Sequence, residues 1–60
     1  MKSETRYFLQ RASEEARRAI KSEEPRVASV HEALSVRYSA KALTLLAAED
    51  EDAIAFDAVP

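Results

Sequence analysis

The chain has 60 residues and a formal net charge of −2, and it contains no cysteine, no glycine and one histidine. A chain of this length forms one small domain at most. Its composition excludes disulfides, thiolate zinc sites, cysteine nucleophiles and the glycine-rich loops that hold nucleotide phosphates. We therefore expect no cofactor, no metal site and no catalytic residues, and a protein that is not an enzyme.

The distribution of apolar residues also limits where the chain works. No apolar run approaches the roughly 18 residues that a membrane-spanning helix needs. The first residues include Lys2, Glu4 and Arg6, and this charged start predicts no signal peptide. The absence of cysteine is compatible with a reducing compartment. We expect a cytoplasmic protein with no membrane partner.

The first predicted helix covers residues 4–22. Its apolar residues recur at steps of three and four, as they do on one face of a helix; they are Phe8, Leu9, Ala12, Ala16, Ala19 and Ile20. Ser3 is predicted to cap this helix by accepting a bond from a backbone N–H. Residues 1–22 carry six basic and three acidic side chains, so the first helix is basic.

The triplet Glu23-Glu24-Pro25 is the clearest break in the pattern. Proline favours the first position of a helix, where its missing N–H costs nothing, and it disfavours helical geometry in the residue before it. A turn of two residues, 23–24, makes the flanking helices antiparallel neighbours. Facing positions then sum to about 47, which places His31 near Glu15 and Tyr38 opposite Phe8.

The second predicted helix covers residues 25–48 and has two apolar stripes. One contains Val27, Val30, His31, Leu34, Tyr38, Ala42 and Leu45, and the other contains Ala33, Val36, Ala40, Leu43 and Ala47. A helix in an isolated hairpin needs a single apolar stripe, so the second one indicates another contact, most simply a second copy of the chain.

The second helix is also longer than the first, and its end overhangs the start of the first helix. Leu43, Leu45 and Leu46 are therefore expected to need a cover. The run Glu49-Asp50-Glu51-Asp52 is predicted to stop the helix, because acids oppose the dipole at a helix C-terminus. Residues 49–60 then form an acidic tail, which folds back over the leucines, packs in a dimer or folds on a partner.

Three side-chain groups are candidates for function. His31 beside Glu15 could tune a proton-transfer group, but a structural histidine with one hydrogen bond is the simpler interpretation. Arg11, Glu14, Glu15 and Arg18 could form a recognition surface, but a solvated face with weak ion pairs is the simpler interpretation. Arg6, Arg17, Arg18 and Lys21 could contact nucleic acid, although the acidic balance of the chain argues against a nucleic-acid partner.

A set of residues along 7–38 has a recognisable pattern. It contains Tyr7-Phe8, Arg11-Ala12, Glu14-Glu15, Ala19, Pro25-Arg26-Val27-Ala28, His31, Leu34 and Arg37-Tyr38. This set resembles short, uncharacterised bacterial helical-hairpin proteins. The resemblance implies a helical hairpin and no known activity, so it assigns no role to any residue.

Together these patterns predict an all-α fold, an antiparallel two-helix hairpin over residues 1–48 that dimerises into a four-helix bundle. The predicted core contains Phe8, Ala12, Ala16, Ala19, Ile20, Val27, Val30, Leu34 and Tyr38. The predicted interaction residues are Val36, Ala40, Leu43, Leu46, Ile54 and Phe56.

For function we expect a non-enzymatic interaction or regulatory protein that self-associates and works through its helical surfaces, with an unidentified protein as a further possible partner. The alternative is a nucleic-acid-associated accessory protein that uses the basic face of the first helix.

Overall fold

The computed structural model describes the backbone of residues 1–58 and the side chains of residues 1–49. This part of the chain forms two helices and no strand, α1 over Ser3–Lys21 and α2 over Pro25–Ala58. The helices form a hairpin that measures 56 × 16 × 12 Å. The all-helical hairpin predicted from the sequence is confirmed.

The turn between the helices follows the predicted break. The N–H of Ser22 donates to the carbonyl of Arg18 at 3.0 Å, which closes the last turn of α1. Pro25 is the first residue of α2, the position where its missing donor costs nothing. The carbonyl of Glu24 accepts a bond from Ala28 at 2.9 Å and starts the hydrogen-bond ladder of α2.

The predicted antiparallel register is also confirmed, because two bonds join the helices at the expected positions. The Ser35 hydroxyl donates to the main-chain carbonyl of Ala12 at 2.9 Å, and His31 Nδ1 lies 2.5 Å from Glu15 Oε1. A serine hydroxyl reaches the backbone of a neighbouring helix only when the helices pack closely. The helices can approach this closely because the buried apolar residues among the described side chains are all alanines, Ala12, Ala19 and Ala42.

The predicted core needs a correction. Ala12 and Ala19 are buried, while Phe8, Ala16, Leu34 and Tyr38 are half-buried. Ile20, Val27 and Val30 are exposed, so the prediction that they are core residues is wrong for the single chain. The buried places are taken instead by Thr5, Glu15 and Ala42, because the closely packed seam selects small or paired side chains over bulky apolar ones.

The prediction that Ser3 caps α1 is wrong as well. Ser3 is the first residue of α1, and the cap position is Lys2, whose side chain makes no capping bond. The carboxylate of Glu49 on α2 takes this role, because its Oε1 accepts a bond from the Lys2 N–H at 2.8 Å and from the Thr5 hydroxyl at 3.4 Å. Negative charge at a helix N-terminus is stabilising.

The end of α2 also differs from the expectation. The helix continues through the acidic run to Ala58 instead of ending at residue 48. Each unfavourable acid near a helix end costs only about 0.3–1 kcal/mol, and the first of the four, Glu49, gains partners on α1. A continuous helix leaves no turn through which residues 49–58 could fold back over Leu43, Leu45 and Leu46. The Ile54 and Phe56 side chains and Val59 lie outside the described part.

Candidate functional site

The hairpin has two distinct sides, and a buried carboxylate marks the first. Glu15 is 2 % exposed although it is charged. It occupies the helix seam because it follows Phe8 and Ala12 and precedes Ala19 at steps of three and four. Its burial contradicts the expectation that Arg11, Glu14, Glu15 and Arg18 form a solvated face.

The Glu15 carboxylate is fully supplied with donors. Oε1 faces His31 Nδ1 at 2.5 Å, and Oε2 accepts from Arg11 Nη2 at 3.1 Å and from Arg18 Nη1. Because an ionised carboxylate only accepts hydrogen bonds, His31 donates its Nδ1 proton to Glu15. We name Glu15, His31, Arg11 and Arg18 the carboxylate cluster.

Aromatic side chains extend the carboxylate cluster towards the start of α1. The rings of Phe8 and Tyr38 stack at 6.0 Å between centroids, and Tyr7 meets Phe8 edge-on at 5.3 Å. The Arg11 guanidinium lies 5.1 Å from the centroid of the Tyr38 ring, a cation–π contact. Arg11 thus connects the carboxylate cluster to the ring of Tyr38. The predicted contact of Tyr38 with Phe8 is confirmed.

The chemistry of the carboxylate cluster suits holding the helices in register. Both oxygens of Glu15 accept bonds, and His31 Nδ1 is committed to one of them. Within the described part of the chain, no group of three or more His, Cys, Asp or Glu side chains could hold a metal ion. The contact between His31 and Glu15 that the sequence predicts is present, and it joins α2 to a buried acid of α1.

The bonds to Glu15 set a pH dependence that can be measured. The hydrogen bond from His31 lowers the pKa of Glu15 below its ordinary value of 4.5, burial opposes this, and Arg18 adds to the lowering. The unfolded chain therefore binds the proton more readily, so this contribution to stability is fully present above pH 4.5 and is lost as the pH falls through the lowered pKa.

We expect thermal melts to show this loss by comparison with Glu15→Gln, which has no carboxyl to titrate. The difference in melting temperature between the two proteins should shrink as the pH falls below 4.5. A difference that stays constant through the acid range would contradict the pKa shift. The comparison removes the contribution of the other acids, which both proteins share.

The second side of the hairpin is an open apolar face. Ile20 is 83 % exposed on α1, and Val36 and Leu43 are 67 % and 64 % exposed on α2. A shallow groove of about 390 Å³ runs between the helices here. Its lining residues are Ala16, Ala19, Ile20, Glu32, Ser35 and Val36. We name this side the open face.

The open face contains some of the predicted interaction residues. Val36, Ala40 and Leu43 are exposed on it, while Leu46 is half-buried nearer the seam. The side chains of the other two predicted residues, Ile54 and Phe56, are outside the described part. Sequence reasoning missed Ile20, which it placed in the core, because Ile20 lies at the edge of the same apolar stripe.

The basic residues of α1 differ in their contacts. Arg18, one of the candidates for contacting nucleic acid, is bonded to Glu15. Arg6, Arg17 and Lys21 are exposed, and no ion pair among the described side chains involves them. In the described part of the chain, neither helix has a stretch long and apolar enough to cross a membrane.

Comparison of the chain with models of protein families, with curated proteins and with solved structures found no match. The resemblance to short bacterial hairpin proteins stays a prediction.

Proposed function

We propose that this chain is a small, non-enzymatic cytoplasmic interaction or regulatory protein that works through its helical surfaces and self-associates into a four-helix bundle. The observation that carries the proposal is the open face. Ile20, Val36 and Leu43 are more than half exposed; Ile20 and Val36 line one groove of the hairpin, and Leu43 follows Val36 two turns further along the same stripe of α2. Contiguous apolar surface of this kind is typical of protein contact sites.

The composition of the hairpin seam supports the same proposal. The buried apolar residues among the described side chains are three alanines, Ala12, Ala19 and Ala42. Each alanine contributes little on burial, since the gain scales with the apolar area removed from water. Chains this short usually need an additional source of stability such as a disulfide, a metal or a partner. With no cysteine in the chain, a partner chain is the simplest source.

The non-enzymatic part of the proposal rests on the carboxylate cluster. His31 is the only histidine of the chain, and its Nδ1 is bonded to a carboxylate that two arginines also hold. A general acid or base must reach a substrate proton, and the bond at Nδ1 leaves Nε2 as the ring nitrogen that could do so. The proposal therefore rests on the contact that His31 makes between α2 and the buried acid of α1. The arrangement favours a histidine that fixes helix register.

The mass of the protein in solution tests the proposal. Light scattering over a range of concentrations should give twice the chain mass of 6.7 kDa. Leu43→Asp should reduce this to a single chain, because it places a charge on the open face. Ala48→Asp adds the same charge to another exposed position of α2, which lies outside the stripe of Val36, Ala40 and Leu43, and should leave the dimer intact. A wild-type protein that is monomeric at every concentration would refute the proposal.

A further inference from the structure

We propose that the second copy packs its α2 antiparallel against α2 along the open face, in a register where facing positions sum to 83. This inference rests on the proposed self-association and specifies its geometry. The register follows from the helix bounds, since full overlap of two antiparallel copies of Pro25–Ala58 pairs residue 25 with residue 58. The two-fold axis then lies between Lys41 and Ala42.

The first support is the spacing of the exposed side of α2. Ala33, Val36, Ala40, Leu43 and Ala47 follow one another at steps of three and four, and all five are exposed. Steps of this kind define a seam that meets a second helix. The seam toward α1 runs through other residues, including His31, Ser35 and Ala42, so α2 has a second seam with no partner among the described residues.

The second support is the arrangement of large and small side chains along this outer seam. A sum of 83 places Val36 opposite the partner's Ala47 and Ala40 opposite the partner's Leu43. Val36 and Leu43, the larger side chains of these pairs, then each face an alanine. Large side chains opposite small ones interdigitate when two helices pack closely. A two-fold interface must be complementary to itself, and the sequence from Val36 to Ala47 satisfies this condition about the proposed axis.

The third support is the overhang of α2. With facing positions at a sum of about 47, α1 begins opposite Thr44, and α2 continues from there to Ala58. Isolated helices shorter than about 12–15 residues are marginal in water. In the proposed register, residues 49–58 of one copy lie along residues 25–34 of the other, so each overhang gains a helix to pack on.

A size swap tests the register. Ala40→Leu should crowd the partner's Leu43, and Leu43→Ala should leave a gap, so each should weaken dimerisation about 10-fold. Ala40→Leu/Leu43→Ala restores one large and one small side chain at every contact and should return to within about 3-fold of the wild type. Leu43→Ala/Ala47→Leu has the same composition but the wrong pairing and should not recover. A failure of the first double variant to recover would overturn the register.

Distances between spin labels show whether the register alone is wrong or whether the chain does not dimerise at all. The chain has no cysteine, so one introduced cysteine per copy carries one label. Labels at Lys41→Cys should lie close together near the axis, whereas labels at Arg26→Cys should be about 45 Å apart along the helix, at about 1.5 Å per residue. Short distances at both sites would mean a parallel dimer, which overturns the register alone. A monomer would overturn the proposed function as well.

Discussion

Replacing Glu15 with alanine is expected to lower the melting temperature by about 10 °C or more, the largest effect of any single substitution on α1. The substitution removes the acceptor of His31, Arg11 and Arg18 together and leaves a gap in a seam whose other buried side chains are small. Circular dichroism of the wild type and the variant at equal concentration measures the change, which matters because association shifts the midpoint.

Two variants show which part of Glu15 is responsible. Glu15→Gln keeps the volume but removes the charge, so we expect a loss smaller than that of alanine. Glu14→Ala removes the neighbouring acid, which forms a half-buried ion pair with Arg11 at 2.5 Å. It should shift the midpoint less than Glu15→Ala, because this pair stays partly in water, where ion pairs contribute about 0–1 kcal/mol. Equal effects of Glu14→Ala and Glu15→Ala would contradict a special role for the carboxylate cluster.

Replacing Ala42 with leucine is expected to destabilise the hairpin by about 1–3 kcal/mol through overpacking. Ala42 is 0 % exposed and lies opposite Thr5 in the register that the Ser35–Ala12 bond defines. Additional methyl groups at this position force the helices apart, which also breaks the contact of Glu49 with the start of α1. For a chain of this size the loss corresponds to a fall in melting temperature of roughly 4–8 °C per kcal/mol.

Ala48→Leu is the matched control. Ala48 is exposed on the same helix and lies outside both the seam toward α1 and the outer seam that contains Val36 and Leu43. The same chemical change there should leave the midpoint nearly unchanged, because leucine and alanine are both good helix formers. An Ala42→Leu protein as stable as the control would show that the helices are farther apart than the bond between Ser35 and Ala12 requires.

The carboxylate cluster and the open face have different roles. The carboxylate cluster fixes which residues of α1 face which residues of α2, a role for which buried polar pairs are best attested. The open face then offers one defined apolar surface to a partner. Substitutions in the cluster should change stability, and substitutions at Val36 or Leu43 should change association first.

The sequence by itself determined the two helices, the break at Glu23-Glu24-Pro25, the antiparallel register and the contact between His31 and Glu15. These follow from local rules, because proline position, helical spacing and a short turn leave few alternatives.

The tertiary structure alone decided which residues the seam buries and where α2 ends. Hydropathy ranks Ile20, Val27 and Val30 above Glu15, yet Glu15 is buried and the three apolar residues are exposed. The reason is that close packing between helices selects small side chains, and a charged one is accepted only when donors on both helices satisfy it. In the same way, the acid Glu49 in isolation predicts a helix end, but in the hairpin its carboxylate accepts a hydrogen bond from the Lys2 N–H at the start of α1.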